Sequence, residues 1–156
     1  MNAETHAETE YCTRVEQLYE DIQQWLPGDL FEFGREKTWL NEEGIGEYFA
    51  DKLALKDKAG AVVAALVPKG AQVIAAEGRV DLEGKYDTVP LLWLKQDGPS
   101  LSSSLNGAPV RTRFFFSRIE SEGWYWIEDA RRGKAHPVTS ELLRELLWQV
   151  SDYEFD

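Results

Sequence analysis

Cysteine and histidine are nearly missing from this chain, which has one cysteine and two histidines in 156 residues. A single cysteine, Cys12, forbids any internal disulfide and fits a reducing compartment. A closed zinc site needs four Cys, His or carboxylate ligands, usually paired at short spacing. His6 and His136 have no such partner nearby, so no metal site and no cofactor is expected. Long apolar runs are missing too. The longest, Ala61 to Pro68, is strand-sized and far below a membrane span. The first residues carry neither a basic nor an apolar segment of the secretory kind, so a leader is not expected and the expected location is cytoplasmic. No internal repeat is visible.

Aromatic residues, by contrast, are plentiful: six Trp, six Tyr and seven Phe. With 43% hydrophobic residues they argue for a real core and against pervasive disorder. The length suits one domain spanning 1–156 that folds without a covalent staple, with 1–9 and 151–156 expected to fray.

Charge is present but lopsided. Residues 1–51 hold 13 acids and 3 bases, a net of −10, whereas residues 52–156 hold 15 acids and 14 bases. Such a field bears on partner choice rather than on fold. It disfavours contact of the first third with nucleic acid or an anionic membrane and suits a partner with a basic surface.

Periodicity divides the chain into helix, short strands and helix. Tyr11, Cys12, Val15, Leu18, Tyr19, Ile22, Trp25 and Leu26 recur at helical spacing, and Pro27-Gly28 stops the run. From Leu30 the period falls to two. Leu30–Phe33 and Lys37–Leu40 read as two short strands around Gly34-Arg35, followed by an ambiguous Glu47–Lys56. Ala61–Val67 is a fully apolar strand, and Ala71–Ala76 returns from it. Arg79–Lys85 alternates, with Arg79, Asp81 and Glu83 on a wet face. Val89–Lys95 is a further strand. Residues 96–109 read as the longest loop, and Val110–Ile119 as a strand paired with Trp124–Glu128. Leu142, Leu143, Leu146, Leu147 and Val150 mark a last helix, with Ser140 as its N-cap. No strand is followed by a crossover helix, which excludes a parallel sheet. The expected fold is α+β: an antiparallel meander sheet with an N-terminal and a C-terminal helix packed on one face.

Four groups of residues are candidates for chemistry. Cys12 lies on the apolar stripe, where a thiol behaves as a small hydrophobe. Ser102, Ser103 and Ser104 lack the strand-to-helix turn that activates a nucleophilic serine. The run Asp81-Leu82-Glu83-Gly84-Lys85 places Glu83 and Lys85 on one strand face. Over these few residues it resembles the acid-x-lysine element of restriction-endonuclease-like folds. That resemblance implies a magnesium ligand at Glu83, a water-orienting Lys85 and a second ligand at Asp81 or Asp57. The plainer reading is a solvated strand face with cross-strand pairs. Arg111, Arg113, Arg118, Arg131, Arg132 and Lys134 lie among aromatics, as in nucleic-acid-binding surfaces, yet Glu120, Glu122, Glu128 and Asp129 leave a net of only +2.

The leading expectation is therefore a non-enzymatic protein-binding module holding a basic partner through an acidic surface. By analogy of class, an inhibitor of a basic toxin, a chaperone or a complex subunit fits. Glu16, Glu20, Asp21, Glu42 and Glu43 are the candidates for attraction, with Trp39 and Tyr48 as aromatic anchors. Some of Trp25, Phe31, Phe33, Trp39 and Tyr48 are expected at the surface. The alternatives are an accessory subunit of a nucleic-acid-handling complex, using Arg111, Arg113, Arg131, Arg132 and Lys134, and third a metal-dependent nuclease.

Overall fold

The computed structural model describes residues 3–73, 76–105, 108–114, 116 and 119–155, with the backbone alone for 3–6, 100–105 and 108–114. Helix α1 spans Ala3–Trp25 and helix α2 spans Ser140–Ser151. Between them run β1 (Phe31–Glu42), β2 (Gly46–Asp57), β3 (Val62–Gly70), β4 (Arg79–Gly84), β5 (Thr88–Leu94), β6 (Ser100–Leu105), β7 (Ala108–Phe114), β8 (Gly123–Asp129) and β9 (Lys134–Pro137). Seven strands form one antiparallel meander in the order β1-β2-β3-β4-β5-β8-β9. The pair β6-β7 forms a separate two-stranded sheet inserted between β5 and β8. No described helix is long and apolar enough to cross a membrane.

The apolar stripe of α1 is the reason that helix docks. Tyr11, Val15, Leu18, Tyr19 and Ile22 are all buried, and they share one core with Leu53, Leu55, Leu66, Val80, Leu82 and Leu91 of the sheet. Leu143, Leu146, Leu147 and Val150 of α2 enter the same core, so both helices cover one face. The end of β4 packs closely against α2. A side chain added at Gly84 would place its Cβ 2.3 Å from the Val150 carbonyl oxygen, which itself accepts a hydrogen bond from the Tyr86 N–H.

Several local expectations are corrected. Leu30–Phe33 and Lys37–Leu40 belong to one continuous strand, because Gly34 pairs in register with Ala54 instead of turning. Burial changes side there in both strands of the hairpin. Phe31 and Leu55 are buried at its open end, whereas Tyr48 and Ala50 are buried nearer its turn, at positions of opposite parity. A strand glycine tolerates such a bend. Of the segment read as a returning strand at 71–76, the described residues retain only an isolated bridge between Val73 and Ala76. The 96–109 loop contains β6 and the start of β7. The N-cap of α2 is Thr139, one residue before Ser140; its hydroxyl accepts from the Leu142 N–H at 3.2 Å. At the other end Tyr153 and Phe155 fold back, with rings 5.0 and 5.8 Å from Phe31.

Opposite the helices, a smaller cluster joins Leu94 and Tyr125 to Phe116 and Ile119. Part of the segment between β5 and β8 thus covers that end of the second face. Asp81, expected on a wet face, is only 5% exposed. Its carboxylate is gripped by Arg79 through Nε at 2.7 Å and Nη2 at 3.2 Å.

Candidate functional site

Twelve acids between residues 7 and 51 have described side chains, and three of them, Glu10, Glu16 and Asp51, form ion pairs. Arg14 serves the first and Arg35 the other two. Glu32 and Glu36 stand opposite Lys56 and Lys52 in the β1-β2 register, and Lys37 stands opposite Asp51, so the ladder roughly balances itself. The excess lies elsewhere. Glu20 and Asp21 on α1, Asp29 ahead of β1, and Glu43 and Glu47 at the hairpin turn have no cation within ion-pair distance among the described residues.

The aromatic residues divide just as sharply. Trp39 is 61% exposed and Phe49, directly opposite it on β2, is 43% exposed. Their ring centroids lie 3.5 Å apart at a 38° tilt. The Lys37 ammonium sits 5.2 Å from the Phe49 ring centre, so this platform already attracts a cation. Phe49 lies in 47–56, where periodicity alone does not decide between strand and helix. Counting back from the turn would have placed it opposite Trp39 only once the turn length was known.

Tyr48 is not a surface anchor. It is 4% exposed, and its hydroxyl donates to the Glu42 carboxylate. Glu42 in turn accepts the backbone N–H groups of Ala71 and Gln72 at 2.9 and 2.8 Å. The two preceding N–H groups, of Lys69 and Gly70, donate to the Tyr11 hydroxyl at 3.1 and 3.2 Å. Four successive amides, the last two of β3 and the two that follow it, are thus satisfied by two side chains. Glu42 holds the fold together rather than facing a partner. Glu16, clamped by Arg35 at 2.6 Å, is also largely committed. Replacing Glu42 with alanine is expected to cost about 3 kcal/mol, since it removes charge-assisted bonds and strands the buried Tyr48 hydroxyl. Urea unfolding of Glu42→Ala beside wild type measures this.

The other candidates come apart in space. Within Val110–Ile119 the described strand, β7 up to Phe114, pairs with β6 rather than with Trp124–Glu128, and β8 lies between β5 and β9. Among the described residues the single arginine-aromatic hairpin therefore does not form. The side chains of Arg111 and Arg113 lie outside the described residues, as does Arg118. Arg131 is exposed on the β8-β9 turn, but Arg132 pairs with Asp129 at 3.6 Å and Lys134 with Glu128 at 3.8 Å. His136 stacks on Trp126, 5.5 Å between centres, and its Nε2 lies 3.5 Å from Glu128. The side chain of His6 lies outside the described residues.

In the acid-x-lysine run, Asp81 is consumed by Arg79 and Glu83 pairs with Lys69 at 3.5 Å. Lys85 lies beyond the end of β4, its ammonium 5.5 Å from the Tyr86 ring centre. Asp57 instead caps the β2-β3 turn through the Ala59 and Ala61 amides. Among the described residues no three His, Cys, Asp or Glu side chains cluster as metal ligands. Cys12 is half-buried, and its thiol is pushed up, first by burial and then by the nearby Glu8, Glu16, Asp51 and Glu42 carboxylates. That opposes thiolate formation and nucleophilic use.

A second exposed tryptophan, Trp148, lines an open groove of about 620 Å³ with Arg144, Glu145, Tyr153 and Phe155. Both signs of charge meet there, so it lacks the bias seen around β1. No protein-family model matches the chain, and no curated protein or solved structure compared with it does so either.

Proposed function

We propose that this chain is a non-catalytic, cytoplasmic protein-binding module that holds a basic partner on the surface formed by α1 and the β1-β2 hairpin. The carrying observation is the set of carboxylates left without cations among the described residues, Glu20, Asp21, Asp29, Glu43 and Glu47, together with the exposed Trp39-Phe49 pair near the hairpin turn. Anionic surface steers a basic partner in, and an exposed tryptophan supplies the apolar contact that holds it. An inhibitor of a basic toxin, a chaperone or a complex subunit would each use such a surface. Glu16, Glu42 and Tyr48 drop out of the interface in this reading, and Phe49, Asp29 and Glu47 enter it.

The test is affinity capture from the source cells at about 50 mM and about 500 mM salt, a range that shortens electrostatic reach severalfold. One partner with a basic surface should be retained at low salt and largely lost at high salt. Trp39→Ala should reduce its capture while changing thermal stability little, because most of this ring is already in water. Capture that ignores salt and tolerates Trp39→Ala contradicts the reading.

A further inference from the structure

Strand β1 is 12 residues long and terminates the seven-stranded sheet. The opposite edge, β9, has four residues and carries Pro137, so it is blunted in the usual way. β1 is not. From Glu32 to Asn41 no main-chain group of β1 bonds to anything except β2 among the described residues. Alternate N–H and C=O groups over that length are thus left without a main-chain partner among the described residues, a ready template for another strand.

A second copy is a poor occupant. In a two-fold antiparallel pairing, opposite residues share a sheet face, so the residue on the axis faces itself. Registers centred on the middle of β1 therefore set Arg35 against Arg35, Glu36 against Glu36, or Lys37 against Lys37. The net charge of −11 adds repulsion between copies. A basic segment meets the opposite situation. Asp29 lies at one end of the edge and Glu43 and Glu47 at the other, all exposed and without an ion-pair partner among the described residues. Near the turn the Trp39-Phe49 pair offers an apolar and cation-accepting surface beside the strand.

We infer that the free edge of β1 receives an extended, lysine- or arginine-rich segment of the partner as an eighth strand of the sheet. This rests on the proposed binding function and adds its mode: main-chain pairing along Glu32–Asn41, with cations placed toward the acidic ends.

The experiment uses the full chain and three labelled peptides of about ten residues, a length that covers the edge. The first alternates lysine and valine, the second replaces alternate valines with proline at equal charge, and the third carries glutamate for lysine. Binding is read by fluorescence anisotropy, and amide hydrogen exchange locates it. The lysine-valine peptide should bind at least about tenfold more tightly than either of the others and should slow exchange of alternate amides within 32–41. Equal binding of the proline peptide, or protection outside β1, overturns strand addition while leaving an acidic binding surface intact. Equal binding of the glutamate peptide overturns the charge preference. If no peptide binds, the edge is not an acceptor, and the salt-dependent capture experiment separately decides whether a basic partner exists.

Discussion

Gly84→Ala should destabilise the protein by about 3 kcal/mol or more, the upper range for forcing extra volume into a packed interior. The cause is backbone meeting backbone. The added Cβ would lie 2.3 Å from the Val150 carbonyl oxygen and 2.5 Å from its carbon, and neither can swing aside as a side chain could. That carbonyl also accepts from the Tyr86 N–H at 2.8 Å, so moving it breaks the bond that ties α2 to the β4-β5 turn. Gly28 is the internal control. A Cβ there meets nothing within 4 Å, and Gly28→Ala should be close to neutral. Thermal unfolding of both variants measures the difference. Equal melting temperatures would show that α2 does not sit on β4 as described.

The second large effect is alkaline unfolding. Tyr11, Tyr19 and Tyr48 are all buried, and burial is the largest cause pushing each hydroxyl above its ordinary value. Tyr11 donates to the Arg79 carbonyl at 2.6 Å and Tyr19 to the Asp51 carbonyl at 2.5 Å. Each bond needs the protonated form. Above about pH 10 the unfolded chain releases these protons while the folded chain keeps them. The unfolded state then binds fewer protons, so stability is present below that pH and falls as pH rises. Three such groups give a limiting slope of about 4 kcal/mol per pH unit. Circular dichroism and the part of the tyrosinate absorbance contributed by Tyr11, Tyr19 and Tyr48 should therefore change together in one cooperative step. Tyr19→Phe should make the decline shallower. Ionisation of all the tyrosines with the fold intact would contradict their placement.

These core residues show how much of the architecture could be read from the sequence. The α1 stripe and the apolar face of α2 were legible because helical periodicity over many residues has few competing explanations. The meander was legible because no crossover helix separates its strands. Other features depend on contacts between distant segments. Gly34 looks like a turn until Ala54 is set opposite it. Tyr48 looks like a surface anchor until α1 covers it, with Tyr11 edge-on at 6.4 Å between ring centres. Asp81 alternates with apolar residues like any wet position, and only the packed face shows that it is buried against Arg79.

The candidate site was half legible for the same reason. Composition locates excess charge on a third of the chain, but it cannot tell which carboxylates are spent internally. Glu16 and Glu42 are spent, on Arg35 and on the amides of Ala71 and Gln72. Glu20, Asp21 and Glu43 remain, joined by Asp29 and Glu47. The free edge of β1 is hidden in the sequence because Gly34-Arg35 has the composition of a turn and divides the strand into two short pieces. A split hairpin offers no long edge, whereas an uninterrupted 12-residue strand at the end of the sheet does.

The most direct measurement is the association rate of the captured partner across ionic strength, for wild type and for a variant carrying Glu20→Lys, Asp21→Lys, Glu43→Lys and Glu47→Lys. With an acidic docking surface, the wild-type rate should fall by about tenfold or more between about 20 and about 200 mM salt. The variant should associate slowly at every salt concentration, with its melting temperature nearly unchanged. A wild-type rate that stays flat with salt, or a folded variant that binds as fast as wild type, would contradict the account.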